Sequence, residues 1–209
     1  SALLIPHGVD FKEKDSSNFK IEGLDDEEDF ILYPSTIDVY KSQIEVVEAY
    51  SLASLKGLDL PKLVMAGSIQ KANIGYSEDV IKLIKHKGLA HKIILCGKVP
   101  YESMPNLYRN SNFVIYASKT ENCPNILLEA LSSDCLVLCS NFQPMPEFGE
   151  DAVIYFNPED PADLALNIEK IHTDSVNRSL IKEKIPAVIS KYSWEETADR
   201  TWRSLYELA

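Results

Sequence analysis

From residue 30 onward the sequence alternates short, continuously apolar runs with segments of helical periodicity. The apolar runs cover residues 30–33, 62–67, 92–97, 112–118, 135–140 and 152–156. Runs that are apolar at every position are typical of strands buried on both faces, and parallel strands need helical connections between them. The sequence therefore predicts an α/β fold, a doubly wound parallel sheet with helices on both faces.

Helices are predicted between and after these strands. They cover residues 40–56, 77–87, 104–110 and 126–133, and three more begin at Pro161, Asp174 and Ser193. In such a sheet ligands bind at the carboxyl ends of the strands, where loops lead into the helices. We therefore expect a binding site in loops 34–40, 68–75, 98–102, 119–125 and 141–147.

Charge and length limit the classes of function. The chain has 209 residues, enough for a sizeable core, and 32 acidic against 21 basic side chains give a net charge of -11. This balance argues against sequence-independent nucleic-acid binding, which needs a basic surface. No apolar run approaches the ~20 residues of a membrane span, and no signal peptide is visible. The four cysteines form no C-x-x-C pair, which favours a reducing cytoplasm.

The negative charge is concentrated before the first strand. Five consecutive acidic residues, Asp25–Asp29, follow a polar stretch at residues 11–18. A run of like charge is typical of a solvated segment. We predict a solvated connector over residues 1–29, followed by one domain over residues 30–209.

Several common motifs are missing. No G-x-G-x-x-G follows the first strand, and no G-x-x-x-x-G-K-S/T occurs, so a dinucleotide dehydrogenase or a P-loop nucleotidase is not expected. The chain has no D-x-D motif and no Cys/His spacing typical of zinc. We therefore expect no metal site and no metal cofactor.

The segment from Lys119 to Leu131, KTENCPNILLEAL, carries the clearest chemical signal. Pro124 suits the first turn of a helix, and apolar residues then cover almost the whole helix circumference. Glu129 is the one charged residue in this helix. A buried carboxylate needs a cation, several donors or a ligand's hydroxyls, so Glu129 is either a structural carboxylate that caps a neighbouring loop or a ligand-binding group.

Glu121 lies eight residues before Glu129, just past the end of a strand. Between them the amides of Cys123, Asn125 and Ile126 are predicted to point out of a helix N-terminus, which favours an anion. Glu129 would lie about 7 Å deeper along the helix axis. A diphosphate at the helix end would leave room for one polyol at each glutamate, and the ligand of this description is a nucleotide sugar.

These segments resemble the family-four glycosyltransferases, which are retaining enzymes of the GT-B fold with two Rossmann-like domains. The resemblance begins at IPHGVD (5–10) and includes the E-x7-E pair Glu121 and Glu129, which is specific in combination with the two segments that follow it. It ends with PMPEFGEDAVIYF (144–156) and YSWEETA (192–198). It implies that the chain is the Rossmann-like, C-terminal, donor-binding half of a GT-B fold. Residues 1–29 would then be an interdomain connector, and residues 30–209 a nucleotide-sugar-binding domain.

The resemblance implies a role for each site residue. Glu129 would bind the ribose hydroxyls, Glu121 the hydroxyls of the transferred sugar, and Lys41 would neutralise the departing diphosphate. The remaining donor-binding positions that it implies are Ser35, Lys98, Val99, Cys123, Pro124, Asn125 and Ile126.

Two departures from the family pattern affect the diphosphate site. The family often has Gly-Arg after the first strand, where this chain has Ser35-Thr36, so one phosphate-binding cation is missing. The loop after the first glutamate is often Gly-Phe-Gly and is here Asn-Cys-Pro-Asn (122–125). This change keeps the helix start but removes the close approach that glycine allows.

The resemblance implies a retaining hexosyltransferase of polysaccharide or lipid-linked glycan synthesis. The donor would be a UDP-sugar rather than a GDP-sugar. The acceptor would bind a missing N-terminal domain, so this fragment alone would be inactive, and the longer enzyme could associate peripherally with a membrane. Two alternatives stay open: a nucleotide-sugar-binding module without activity, and a GT-B domain of the UDP-sugar epimerase type.

Overall fold

The predicted α/β fold is confirmed in the computed structural model, which describes residues 5–9 and 19–208. Within this part of the chain, six parallel strands form one sheet in the order β3-β2-β1-β4-β5-β6. The strands are β1 (Phe30–Pro34), β2 (Lys62–Ala66), β3 (Ile93–Gly97), β4 (Phe113–Tyr116), β5 (Val137–Ser140) and β6 (Ile154–Phe156). All six lie inside or within one residue of the predicted apolar runs.

Helices cover both faces of this sheet. They are α1 (Gln43–Ser54), α2 (Ile74–His86), α3 (Met104–Asn110), α4 (Asn125–Ser132), α5 (Met145–Gly149), α6 (Pro161–Thr173), α7 (Ser175–Lys182), α8 (Ile185–Ile189) and α9 (Trp194–Leu208). Three short 3-10 turns precede helices at Val39–Lys41, Lys71–Asn73 and Tyr101–Ser103.

The core has two layers because successive strand residues point to opposite faces and both faces are buried. In β1, Ile31 and Tyr33 pack with α1, α2 and α6, whereas Phe30 and Leu32 pack with α3, α4, α5 and α8. All four residues are at most 5% exposed. This double burial explains why the strands are apolar at every position.

The site is positioned by the point where the strand order reverses. The chain builds β1, β2 and β3 outward in one direction, then returns to place β4 beside β1. In doubly wound sheets the loops after two such strands diverge and leave a crevice at their carboxyl ends. The loop from β1 to α1 and the loop from β4 to α4 border this crevice here.

The predicted helix from Tyr40 is wrong at its start, because the chain makes a 3-10 turn over Val39–Lys41 and α1 begins only at Gln43. Ser42 separates the two with a left-handed backbone, φ 62°. Pro124 is likewise the N-cap of α4 and not part of its first turn. Helices α5 and α8 were not predicted, since five residues are too few to show a helical period.

Residues 5–9 pack against the start of α9. The Val9 amide donates to the Tyr192 carbonyl at 2.9 Å, and the Thr197 hydroxyl donates to the Pro6 carbonyl at 2.9 Å. Gly8 lies so close that a Cβ there would fall 2.2 Å from the Trp194 amide nitrogen. Residues 5–9 of the IPHGVD segment are therefore neighbours of the YSWEETA segment in space.

The acidic run Asp25–Asp29 precedes the amino end of β1, at the edge of the sheet opposite the crevice. Its residues are exposed as predicted, except Glu28, which is half-buried and paired with Lys62 at 2.9 Å. Ile21, in the same segment, is buried in the core. The predicted solvated stretch at 11–18 lies outside the described residues. No helix within 5–9 and 19–208 combines the length and apolarity that crossing a bilayer requires.

Candidate functional site

A cavity of about 220 Å³ opens at the carboxyl ends of β1, β2 and β3, beside helix α4. Five of the predicted donor-binding residues line it together: Ser35, Lys98, Val99, Ile126 and Glu129. Gly67, at the end of β2, lets the loop after β1 fold against it, because a Cβ at Gly67 would fall 1.8 Å from the Ser35 carbonyl oxygen.

Glu129 projects from the middle of α4 and accepts two hydrogen bonds from tyrosines. Its Oε1 accepts from the Tyr101 hydroxyl at 3.0 Å, and its Oε2 accepts from the Tyr108 hydroxyl at 3.1 Å. Burial raises the pKa of Glu129 above its ordinary value, and the two hydroxyls oppose this shift. The half-buried carboxylate thus meets two donors, in line with one of the possibilities that the sequence left open.

A second, smaller cavity of about 130 Å³ lies on the other side of Glu129. Tyr101, Asn125 and the stacked rings of His7 and Trp194 border it. The two ring centroids are 5.9 Å apart. Glu129 therefore lies in the wall between two cavities, and the predicted residue Asn125 faces the second one.

The two predicted catalytic residues form an ion pair. The Lys41 ammonium contacts Glu121 Oε1, and the side chains are only 7% and 17% exposed. The same ammonium lies 5.0 Å from the centre of the Tyr40 ring and 5.7 Å from that of Tyr116. Burial and the Glu121 carboxylate raise the pKa of Tyr116, so its hydroxyl stays protonated.

The backbone around Lys41 is held by buried polar contacts. The Tyr33 hydroxyl donates to the Lys41 carbonyl. The fully buried Gln43 donates to the Thr36 carbonyl at 2.9 Å and accepts from the Asp38 amide at 3.3 Å. The loop between β1 and α1 is thereby fixed at both of its ends, and Lys41 is fixed with it.

The N-terminus of α4 differs from the predicted arrangement of three outward amides. The Asn125 amide donates to the Cys123 carbonyl at 2.9 Å, and Pro124 between them has φ -80° and ψ 68°, the geometry of a tight three-residue turn. The prediction of a free Asn125 amide is therefore wrong. The Ile126 amide lies within the first turn, where helix geometry provides no intrahelical acceptor.

Cys123 and Pro124 lie in the loop that precedes α4, between the ion pair and the helix. The Cys123 thiol is half-buried, and burial raises its pKa, while a hydrogen bond with the His7 backbone opposes the shift. Cys123 is therefore a protonated thiol that contacts the 5–9 segment. Neither Cys123 nor Pro124 lines either cavity, so their predicted contact with a donor stays a prediction.

Sequence reasoning missed the tyrosines of the site. Tyr101 and Tyr108 bind Glu129, and the rings of Tyr40 and Tyr116 flank Lys41. A signal for Tyr108 is nevertheless present in the sequence. Tyr108 is a polar-tipped residue on the buried face of the predicted helix 104–110, and a buried tyrosine hydroxyl usually has a partner.

Metal ligands are not grouped in the described residues, where no three His, Cys, Asp or Glu side chains converge. Lys98 lines the first cavity, whereas Lys41 lines neither cavity and is paired with Glu121. Lys119 is directed elsewhere, to Glu45 at 2.8 Å.

Comparison with known protein families identifies the family of this chain. The family model described as glycosyl transferases group 1 matches residues 14–188. The chain belongs to this family. As a group 1 glycosyltransferase domain, it is 27% identical to the O-antigen chain mannosyltransferase B of Escherichia coli over 173 residues. It is 28% identical to the serotype-specific mannosyltransferase WbdA of the same species over 198 residues.

The group 1 domain matches only part of these relatives. The two alignments cover 82% and 91% of this chain, but 44% and 24% of the mannosyltransferases. The chain therefore spans less than half of the length of either one.

Solved structures support the same fold. A glycosyltransferase from Rickettsia africae superposes with a TM-score of 0.82 at 23% identity, covering 98% of this chain and 56% of that one. The Anabaena protein HepE, solved in complex with UDP and glucose, superposes with a TM-score of 0.79 at 16% identity, covering 87% and 49%. These likenesses show that the chain shares its fold with about half of each of these two proteins.

Proposed function

We propose that this domain binds the nucleotide-sugar donor of a retaining glycosyltransferase. One observation carries the proposal: a cavity lined by Glu129, Ser35 and Lys98 lies beside α4, and the Lys41–Glu121 pair follows the neighbouring strands at the same edge of the sheet. A nucleoside and a sugar joined by a diphosphate would need two polar sites separated by a cation and a helix N-terminus. Membership in the group 1 family supports this assignment.

The nucleoside would occupy the 220 Å³ cavity. Glu129 would accept hydrogen bonds from the ribose hydroxyls, since its two oxygens are already oriented by tyrosines and its burial strengthens such bonds. Val99 and Lys98 would border the base, and Ser35 would face the diphosphate through its hydroxyl and the loop amides.

The sugar would lie near Glu121. During transfer the bond between the anomeric carbon and the diphosphate oxygen breaks, and the acceptor oxygen attacks the same face while its proton passes to the diphosphate. Lys41 and the Ile126 amide would stabilise the negative charge that develops on the leaving group. We also propose that the anomeric carbon keeps its configuration and that Glu121 lies beside the transferred sugar.

The acceptor is proposed to bind a second domain, because the relatives are longer than this chain and the crevice is open at the carboxyl edge of the sheet. The mannosyltransferase relatives favour a hexose as the transferred sugar and a polysaccharide as the product. The UDP complex of HepE supports a uridine donor. Cytoplasmic location is also proposed, in keeping with four free thiols.

Calorimetry tests donor binding directly. UDP, GDP and ADP are titrated separately into the wild-type chain, into Glu129→Gln, and into the control Glu183→Gln, which changes an exposed glutamate at the end of α7. We expect one nucleotide to bind the wild type and the control equally, and Glu129→Gln to bind about 10- to 100-fold more weakly, because hydrogen bonds to a charged group are lost. If the wild type binds none of them, the proposal fails.

Transfer itself requires the full-length enzyme. A reaction of the full chain with the preferred nucleotide sugar and a glycan acceptor should give a product of retained anomeric configuration. Binding without transfer in the full chain would favour the alternative of a non-catalytic binding module. An epimerised sugar formed without acceptor would favour the epimerase type.

A further inference from the structure

The two tyrosines that donate to Glu129 differ in burial. Tyr108, on α3, is 1% exposed and its ring lies within the core. Tyr101, at the start of the turn Tyr101–Ser103, is 64% exposed although its hydroxyl binds Oε1 of Glu129 at 3.0 Å. Tyr108 can leave the carboxylate only if the core opens, whereas Tyr101 lies at the surface.

Glu129 lines both cavities, with Tyr101 at the second cavity and Tyr108 at the first. A carboxylate offers about four lone-pair positions. Tyr101 uses one of them on Oε1, and Tyr108 uses one on Oε2. A vicinal diol, with two donors side by side, binds a carboxylate through both of its oxygens, so it would compete with the exposed tyrosine for Oε1.

We propose that Tyr101 is a positioning residue whose hydroxyl occupies the place of one ribose hydroxyl on Glu129 and yields it when a ribonucleotide binds. This inference rests on the proposed function of the site. Tyr101 keeps the half-buried carboxylate hydrogen-bonded and oriented, and Tyr108 holds the other oxygen throughout. A ligand with hydroxyls can replace Tyr101 and keep Oε1 hydrogen-bonded, so the exchange favours ribose over sugars that lack these hydroxyls.

The inference predicts that removal of the Tyr101 hydroxyl strengthens ribonucleotide binding, because the competitor is gone. Calorimetry would compare the wild type, Tyr101→Phe and Tyr108→Phe, with Tyr206→Phe as a control at an exposed position of α9. The probes are the best binder among UDP, GDP and ADP, and its 2′,3′-dideoxy analogue. Thermal unfolding of each variant checks that the fold is unchanged.

We expect Tyr101→Phe to bind the ribonucleotide about three- to tenfold more tightly and the dideoxy analogue with unchanged affinity. Tyr108→Phe should bind the ribonucleotide more weakly, since a buried donor that orients Glu129 is lost. Equal or weaker ribonucleotide binding by Tyr101→Phe overturns the inference, and so does equal tightening for the dideoxy analogue. If the wild type binds no nucleotide at all, the proposed function fails and this inference fails with it. If the wild type binds but Tyr101→Phe does not tighten binding, only this inference fails.

Discussion

Lys41 and Glu121 are 80 positions apart in the sequence, yet they form a largely buried ion pair at the reversal point of the sheet. Neither residue is neutralised by a second ion pair in the described residues. A diphosphate that binds Lys41 would therefore have to share it with Glu121 or take it over. In either case Lys41 would bind the Glu121 carboxylate less strongly, and Glu121 could accept a hydrogen bond from a sugar hydroxyl. Phosphate binding and sugar binding would therefore be coupled at this pair.

Breaking this pair from one side should destabilise the protein. Lys41→Met leaves a nearly buried carboxylate without its cation, and we expect the free energy of unfolding to fall by about 3–5 kcal/mol. Adding Glu121→Gln should restore part of the loss, because the uncompensated charge is removed. Urea denaturation of the single and double variants measures both effects.

The matched control is Lys82→Met, which breaks the exposed pair with Asp79. Its expected cost is about 0–1 kcal/mol. Equal costs for Lys41→Met and Lys82→Met would contradict the importance of burial at the Lys41–Glu121 pair.

The raised pKa of Glu129 predicts a pH dependence of binding. Burial holds this pKa above 4.5, so the carboxyl takes up a proton at a higher pH than an exposed glutamate. Protonation removes acceptor capacity, and nucleotide affinity should fall as pH is lowered through the raised pKa. Calorimetry across this range should show the step in the wild type and not in Glu129→Gln.

The same rise in the pKa of Glu129 gives stability a pH dependence opposite to that of binding. The folded state binds the proton more tightly than the unfolded chain, so the contribution of Glu129 to stability decreases as pH rises from 4.5 through the raised pKa. Thermal unfolding of Glu129→Gln should lack this component. A wild type and variant with parallel pH profiles would show that the Glu129 pKa is not raised.

Ser42 is a site where glycine should be better than the native residue. Its backbone is left-handed, with φ 62°, and its buried hydroxyl has no hydrogen-bond partner among the described residues. Ser42→Gly relieves the backbone strain and removes the unpaired group, so we expect a gain of about 1–3 kcal/mol in urea denaturation.

Asp134→Gly serves as the comparison for Ser42→Gly. Asp134 also has a positive φ, 56°, but its side chain is exposed and paired with Lys182. Its gain should be smaller, because no buried unpaired hydroxyl is removed. A larger gain in the free energy of unfolding at Asp134 than at Ser42 would mean that the unpaired hydroxyl of Ser42 does not destabilise the fold.

Gly67→Ala should damage the nucleotide cavity. The new Cβ would fall 1.8 Å from the Ser35 carbonyl oxygen, so the loop after β1 must move. We expect a lower melting temperature and weaker nucleotide binding. Gly75→Ala, at a helical position with open space around it, should leave binding unchanged and stability equal or higher. Unaltered binding in Gly67→Ala would show that the loop position does not determine affinity.

The strands were predictable because burial on both faces leaves a direct mark on the sequence. β1 and β5 are apolar at every position or nearly so, and their neighbours follow the same rule. Helix α8 was not predictable, since its five residues are ordered by packing against α4 and not by a local pattern. The break at Ser42 was also hidden, because serine carries no signal for a left-handed backbone.

The charged residues of the site were predictable from the sequence. Glu129 and Lys98 meet at one cavity, and Lys41 meets Glu121, as their positions after the strands suggested. The partners of Glu129 could not be derived, because Tyr101 and Tyr108 reach it only through the placement of α3 against α4. The role of these two hydroxyls is evident only once their distances to the Glu129 carboxylate are known.

The acidic run Asp25–Asp29 has a kinetic consequence. It lies at the amino end of β1, and the five residues of that strand place it about 16 Å from the crevice. This distance exceeds the Debye length of about 8 Å at physiological ionic strength, so the run barely opposes an anionic donor there. In dilute buffer its field extends further, and added salt should then speed the association of a nucleotide without changing any contact within the crevice.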